Sequence, residues 1–206
     1  MTQLAQRMER RDVLERLANH VTNEIVVSTY SSATDWLALT DRTLNHFSFG
    51  AMGLASSHAL GLALAFPDRR VVVLDGDGSL LMNLGTLVTI AAAAPRNLTH
   101  FVCQNGSYEA NGGVPLPHDH VDFEGVARSA GISSAMTISD LETFERRIER
   151  LLVEDGPHFA CLKVAQGPLS KRNYKDMYSA ERRNAFRDAL REGRDDGPRR
   201  HSPVER

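Results

Sequence analysis

Residues 70–79 read RVVVLDGDGS, and this stretch decides the fold. Residues 71–74 are apolar throughout, which is typical of a parallel strand covered on both faces of its sheet. Two carboxylates and two glycines follow the strand, and an apolar stretch to about residue 94 then predicts a long helix. The stretch therefore indicates a buried parallel strand that ends in a turn suited to binding a ligand.

Strand and helix patterns alternate on both sides of this stretch. In chain order they predict an amphipathic helix within residues 1–20, a strand at 24–29, a polar loop at 30–34, a short helix at 35–39, a helix at 54–65, a strand at 99–104, a loop at 107–119, a helix at 122–131, a strand at 135–138, a helix at 141–154 and a strand at 158–165. This order predicts an α/β fold, a doubly wound parallel sheet with helices on both faces.

The composition changes after residue 166. Residues 1–166 are predicted to form one domain, and residues 167–206 a polar, basic extension with a helix at about 180–191 and a disordered last dozen residues. We interpret the extension as a solvated or partner-facing segment rather than a nucleic-acid site.

Global properties exclude several classes of protein. The 206 residues are 42% hydrophobic with a formal net charge of −2, so nothing points to nucleic acid or to an anionic membrane. No run of about 18 apolar residues is present, and residues 1–17 lack the apolar core of a signal peptide. Cys103 and Cys161 each lie in a predicted strand, as buried thiols do in a reducing compartment. We predict a cytoplasmic protein.

Polar residues follow two predicted strands. Asp77 stands between two glycines after the strand at 71–74, and Asn105 follows the strand at 99–104, 28 residues later. One right-handed crossover would bring both to the same edge of the sheet. A carboxylate and an amide oxygen suit Mg²⁺, and a helix that begins at Ser79 would present N–H groups to a phosphate. Each motif alone reads as a turn, but the pair favours a metal–diphosphate site.

Other phosphate-binding motifs are disfavoured. The pattern GxGxxG fails because Leu81 stands where the third glycine belongs, and no GxxxxGK[ST] occurs.

The motif GDGS at residues 76–79, followed by Asn105, resembles the signature of thiamine diphosphate (ThDP) enzymes. Residues 28–39 (STYSSATDWLAL), 49–87, 104–116 (QNGSYEANGGVPL) and 121–132 extend this resemblance to the C-terminal half of phosphonopyruvate decarboxylases and to the β subunit of sulfopyruvate decarboxylases. The resemblance covers roughly residues 12–164. It implies the diphosphate-binding (PP) domain of the ThDP-binding fold.

The resemblance implies roles for the residues of the two motifs. Asp77, Asn105 and the carbonyl of Ser107 resemble the protein ligands of Mg²⁺. Gly78 and Ser79 resemble donors to the diphosphate, and Gly76 and Tyr108 belong to the same cofactor-binding set.

Residues 50–53 resemble the segment that holds the aminopyrimidine ring. The resemblance places Gly50, Ala51 and Met52 against that ring and makes the Met52 side chain the apolar wedge that bends the cofactor. Core filling is the alternative role of Met52.

The resemblance implies a reaction in which a proton is returned to the substrate after CO₂ leaves, and loop residues are the candidates for this role. His118 and Glu109 are the assigned catalytic candidates, with His120 and Asn111 as alternatives; solvated loop residues are the competing interpretation.

The resemblance implies a partner. In this family a glutamate of a separate pyrimidine-binding domain activates the cofactor, and we expect it to come from an α subunit in an α2β2 or higher assembly. The implied function is that of the β subunit of a two-subunit, ThDP- and Mg²⁺-dependent 2-oxo acid decarboxylase. Alternatives are a subunit of an acetolactate synthase-like carboligase and a noncatalytic regulatory or scaffold subunit.

Departures from the family pattern concern the substrate. The family carries Arg-Glu where Asp35-Trp36 stands, and usually His and Gln where Leu54 and Val114 stand. Loss of an arginine predicts weaker binding of a substrate with a second acid group. The indole of Trp36 predicts a more apolar acceptor substrate.

Overall fold

The computed structural model describes residues 7–48, 50–118, 121–168, 171 and 173–192. The helices are α1 (Arg10–His20), α2 (Tyr30–Leu39), α3 (Ala55–Ala65), α4 (Asp77–Leu81), α5 (Gly85–Ala93), α6 (Phe123–Ser129), α7 (Leu141–Val153), α8 (Tyr174–Met177) and α9 (Ala180–Glu192). The strands are β1 (Ile25–Ser28), β2 (Asn45–Phe47), β3 (Val71–Gly76), β4 (Leu98–Gln104), β5 (Ser107–Tyr108), β6 (Val114–Pro115), β7 (Ser134–Ile138) and β8 (His158–Lys163). Residues 1–6 and the last dozen residues, predicted to be disordered, lie outside the described ranges.

Six strands form one parallel sheet in the order β2-β1-β3-β4-β8-β7. β3 and β4 are neighbours in register, with Val71 opposite Leu98 and Gly76 opposite Cys103. The carboxyl ends of the two strands therefore lie side by side, and the predicted doubly wound parallel sheet is confirmed.

Two apolar clusters cover the two faces of the sheet. On one face Val26, Val72 and Leu74 pack with residues of α1, α2 and α7. On the other face Val27 and Val73 pack with residues of α3, α5 and α6. Consecutive strand residues alternate between the clusters because successive side chains of a strand point to opposite faces.

One prediction next to β1 was wrong, and one strand there was missed. The predicted polar loop at 30–34 is the first half of helix α2, and strand β2 was not predicted. Serine and threonine have modest helix propensity, but Ser32 and Thr34 are buried in α2, so tertiary packing overrides that propensity. β2 has only three residues, too few for a strand pattern to show.

The predicted single helix after β3 is broken in two. It begins at Asp77 rather than Ser79, and α4 and α5 are separated at residues 82–84, where backbone bonds run from Met82 to Ser79 and from Asn83 to Leu80. The break lets the Asn83 side chain donate a hydrogen bond to the carbonyl of Gly53 at 3.0 Å.

The predicted loop at 107–119 contains a short antiparallel hairpin. β5 and β6 pair across a 3₁₀ turn at Glu109–Asn111. The hairpin directly follows β4, so it lies over the carboxyl edge of the sheet.

The C-terminal helix predicted at 180–191 is present as α9, and it packs against the outer strand β2. The Phe186 ring lies 5.2 Å from the His46 ring, and the Arg182 guanidinium lies over the Phe47 ring at 5.6 Å. Arg182 also pairs with Asp41 at 2.7 Å. These contacts tie the extension to the edge of the sheet.

Cys103 and Cys161 are both buried and free, as predicted. Within the described ranges, every helix is too short or too polar to span a lipid bilayer.

Candidate active site

The tips of β3 and β4 meet through Asp77. One carboxylate oxygen, Oδ2, accepts from the N–H of Gly106 at 2.7 Å, and Oδ1 accepts from the N–H of Gly78 at 2.8 Å. The two motifs predicted to converge are therefore in direct contact at the carboxyl edge of the sheet.

The environment of the Asp77 carboxylate favours binding of a cation. The residue is 2% exposed, and burial raises the pKa of its carboxyl to about 6, even though hydrogen bonds from backbone N–H groups, first that of Gly106, lower it. A buried negative charge without a positive partner costs free energy. A metal ion at this position would relieve that cost.

Asn105 and Ser107 lie beside Asp77. The Oδ1 atom of Asn105 accepts from the backbone N–H of Ser107 at 2.9 Å and from its hydroxyl at 3.1 Å. Both residues are buried, so the amide is held in a single orientation.

Two glycines of the site are required by close packing. A Cβ atom on Gly78 would lie 2.5 Å from Cδ1 of Tyr108, and one on Gly53 would lie 3.0 Å from Cβ of Asn83 at a backbone φ of +86°. A Cβ on Gly76, in contrast, would meet no atom within 4 Å, which leaves open space beside the Asp77 turn. The chain thus approaches itself closely while the space above Gly76 stays free for a ligand.

Most of the sequence-predicted residues line one cleft. These are Met52, Gly76, Asp77, Gly78, Ser79, Asn105, Ser107, Tyr108 and Glu109. Met52 is half-buried and belongs to neither apolar cluster of the sheet. Its sulfur accepts a hydrogen bond from the side-chain amide of Asn111 at 3.6 Å.

Other predicted residues lie elsewhere. Gly50 and Ala51 are exposed and do not line the cleft, although Gly50 has the left-handed φ of +107°. His118 is exposed and outside the lining. His120 lies outside the described residues.

Sequence reasoning missed several lining residues: Arg10, Thr29, Tyr30, Ser31, Ser32, Cys103 and Ala110. Thr29–Ser32 follow the carboxyl end of β1, so the rule that ligands bind at strand ends was the available signal. Tyr30 has a left-handed φ of 47°, which is unusual for a residue with a side chain. No local signal marked Arg10, because its partners Asp35 and Glu109 are 25 and 99 residues away.

Trp36 is a core residue. Its side chain is fully buried in the cluster with α1 and α7, and its indole N–H donates to Oδ1 of Asn45 at 2.8 Å. The prediction that the indole favours a more apolar acceptor substrate is therefore wrong, since the indole does not line the cleft.

The described part of the chain holds no cluster of three or more His, Cys, Asp and Glu side chains arranged to hold a metal. A metal at the cleft would depend on one carboxylate together with amide and backbone oxygens, which suits a hard cation such as Mg²⁺.

Residues 28–162, from β1 to β8, match the family described as thiamine pyrophosphate enzyme, C-terminal TPP binding domain. The chain belongs to this family of ThDP enzymes.

The chain is similar in sequence to two decarboxylases. The chain is 38% identical to the sulfopyruvate decarboxylase subunit beta of Methanothermobacter thermautotrophicus over 78% of its length and 84% of the relative. It is 36% identical to a phosphonopyruvate decarboxylase of Streptomyces viridochromogenes over 89% of its length, and it spans only 46% of that longer protein.

A solved ThDP enzyme has the same fold. The crystal structure of benzoylformate decarboxylase from Polynucleobacter necessarius superimposes with a TM-score of 0.68 at 20% identity, over 78% of this chain and 34% of that one. At this identity the match establishes the fold alone.

Proposed function

We propose that the chain is the diphosphate-binding β subunit of a two-subunit, ThDP- and Mg²⁺-dependent 2-oxo acid decarboxylase. The observation that carries this proposal is the contact between Asp77 and the Asn105–Gly106 turn, at a cleft that Met52 also lines. The named decarboxylase relatives support it further.

The residues of the cleft fit the metal and the diphosphate. Asp77, Asn105 and the carbonyl of Ser107 would hold Mg²⁺, since they supply hard oxygen atoms. The Ser79 hydroxyl accepts from the N–H of Gly53 at 3.0 Å, so its own hydrogen is left to donate to a phosphate oxygen. The open space beside Gly76 would admit the diphosphate.

Residues 50–53 would receive the aminopyrimidine ring. Gly53 is tied to Ser79 and to Asn83, so this segment has a fixed relation to the diphosphate end. Met52 reaches the cleft from the segment, as a wedge must. Because Met52 lies outside both apolar clusters, its position favours the wedge over core filling.

ThDP, when bound, supplies the electron sink for loss of CO₂. This chain would hold and orient the cofactor, and a loop residue would return a proton to the substrate. Glu109 lines the cleft, but its carboxylate is paired with Arg10, whereas His118 is exposed outside the cleft. A proton donor role for His118 requires movement of its loop toward the cleft.

The proposed partner is an α subunit with the pyrimidine-binding domain, which would supply the activating glutamate in an α2β2 or higher assembly. An apolar surface is available for it: Leu54, Met82 and Val88 are 37%, 53% and 58% exposed around α3 and α5. Exposed apolar side chains of this size are candidate contacts for a protein interface.

Reconstitution tests the proposal. The purified chain is assayed for CO₂ release from a panel of 2-oxo acids with ThDP and Mg²⁺, alone and together with a candidate pyrimidine-domain subunit. We expect activity only from the mixture, together with a complex that contains both chains in solution. Full activity of the single chain would overturn the two-subunit proposal.

A further inference from the structure

The N-terminal segment continues the sheet beyond β8. Met8 donates its N–H to the carbonyl of Lys163 at 3.1 Å and accepts from the N–H of Ala165 at 2.8 Å, in a parallel bridge with Val164. This pairing fixes the segment beside the carboxyl end of β8, on the side opposite to β4. Two arginines, Arg7 and Arg10, are thereby brought to the loop that follows β4.

Arg10 is buried between two carboxylates. Its Nε donates to Asp35 Oδ2 at 2.7 Å, and its Nη1 pairs with Glu109 Oε2. The exposed fractions of the three side chains are 4%, 4% and 10%. Separating one of these side chains from its partner would leave a buried charge uncompensated, which costs free energy. The three side chains therefore stay together, and their contacts constrain the backbone around them.

The loop after β4 is held from several sides. Glu109 Oε1 accepts from the N–H of Gly167 at 3.3 Å, beyond the end of β8. The carbonyl of Asn105 accepts from Arg7 Nη1 at 3.3 Å and from the Gln166 amide at 3.5 Å. Residues 105–109 are therefore tethered at both ends to the N-terminal segment and to the exit of β8.

We propose that Arg10 is a positioning residue for the metal site: through Glu109 it fixes the loop that carries Asn105 and Ser107, and through Asp35 it anchors that loop to α2. This inference rests on the proposed function in one respect, that Asn105 and Ser107 hold the metal. Arg10 itself is assigned no contact with the metal. It acts by keeping two oxygen ligands in place before the cofactor arrives.

The alternative is that the Arg10 network only stabilises the fold. The two roles differ in where the loss of order occurs. A positioning role predicts local loosening of residues 105–111 with the rest of the chain unchanged, whereas a general stabilising role predicts faster exchange throughout.

The test compares Arg10→Gln with Arg16→Gln. Arg16 lies on the same helix, α1, but its pair with Glu145 is exposed, with side-chain exposures of 43% and 44%. Backbone hydrogen–deuterium exchange is measured on the full chain, and the dissociation constants of Mg²⁺ and ThDP are measured by calorimetry on the complex with its partner subunit. Glu109→Ala is the second variant, because it removes one arm of the network if Arg10→Gln fails to fold.

We expect exchange in residues 105–111 to rise at least tenfold in Arg10→Gln and Glu109→Ala, and Mg²⁺-dependent ThDP binding to weaken at least tenfold. Arg16→Gln should change both by less than twofold. An even rise of exchange along the chain, or unchanged exchange at 105–111 in both variants, would overturn the positioning role. If the wild-type complex binds no ThDP, the proposed function fails, and the exchange pattern still decides whether Arg10 tethers the loop.

Discussion

The N–H of Gly53 donates to the hydroxyl of Ser79 at 3.0 Å, across 26 residues of sequence. This bond joins the segment proposed to hold the pyrimidine to the segment proposed to hold the diphosphate. The distance between the two ends of the cofactor site is therefore set inside this chain. A partner subunit would complete the site without having to define that distance.

Asp77→Ala should abolish Mg²⁺-dependent ThDP binding and leave the fold intact. The carboxylate lies at a strand tip and its burial is already unfavourable, as the raised pKa indicates. Its loss should change the free energy of unfolding by no more than about 1 to 2 kcal/mol, the value of its hydrogen bonds. Calorimetry of the complex and urea unfolding of the chain measure the two effects. Asp155→Ala, which removes an exposed carboxylate, is the control, and unchanged cofactor affinity in Asp77→Ala would refute the metal assignment.

Met52→Ala should reduce turnover more than cofactor affinity. A wedge sets the conformation of the bound cofactor, while the diphosphate and metal supply most of the binding free energy. The comparison is kcat against the ThDP dissociation constant in the reconstituted complex. Met136→Ala is the control, because Met136 packs against an apolar cluster of the sheet. Activity within about twofold of the wild type would return Met52 to a packing role.

Sulfopyruvate and phosphonopyruvate should be poor substrates compared with 2-oxo acids that lack a second acid group. Among the described residues that line the cleft, Arg10 is the one cation, and it is paired with Asp35 and Glu109. A second anionic group would find no free positive charge among the described residues that line the cleft. Rates of CO₂ release by the complex, expressed as kcat/KM across a panel of acids, test this prediction. Equal or better turnover of either doubly anionic acid would contradict it.

The stability of the chain should depend on His46 below neutral pH. Burial, followed by the nearby His58, lowers the pKa of His46 to about 4 from 6.5. Because the unfolded chain takes up this proton more readily, the contribution of His46 to stability is lost as the pH falls from 6.5 towards 4. Between pH 7 and pH 5 the loss is about 2 kcal/mol, at 1.36 kcal/mol per pH unit.

Urea unfolding of the wild type and of His46→Phe at pH 7 and pH 5 measures this loss of stability. The difference between the two proteins should shift by about 2 kcal/mol in favour of the variant at pH 5. Parallel curves for wild type and His46→Phe would show that the imidazole is not protected from protonation.

The order of the sheet was predictable where side-chain patterns are strong and local. Residues 71–74, 101–103 and 159–162 are apolar runs at the centres of three strands, and the crossover between Asp77 and Asn105 follows from the handedness of parallel strands. The start of α2 and strand β2 were not predictable in this way. Burial of Ser32 and Thr34 decides where α2 begins, and pairing with β1 decides that β2 is a strand.

The site was predictable to the extent that it consists of backbone turns at strand ends. Asp77, Ser79 and Asn105 stand in motifs that the sequence displays directly. Arg10 could not be predicted, since an arginine in an amphipathic helix usually faces solvent and its two partners come from distant segments.

The burial of Trp36 also gives the protein an intrinsic fluorescence signal. It is the single tryptophan of the chain, its ring is shielded from water, and it directly follows Asp35, which holds Arg10. Emission excited at the red edge of protein absorption therefore arises from one known place, at a wavelength typical of an apolar environment. Rearrangement of α2 that lets water reach the ring would shift that emission to the red. Titrations of the chain can thus follow one helix beside the cleft without any added dye.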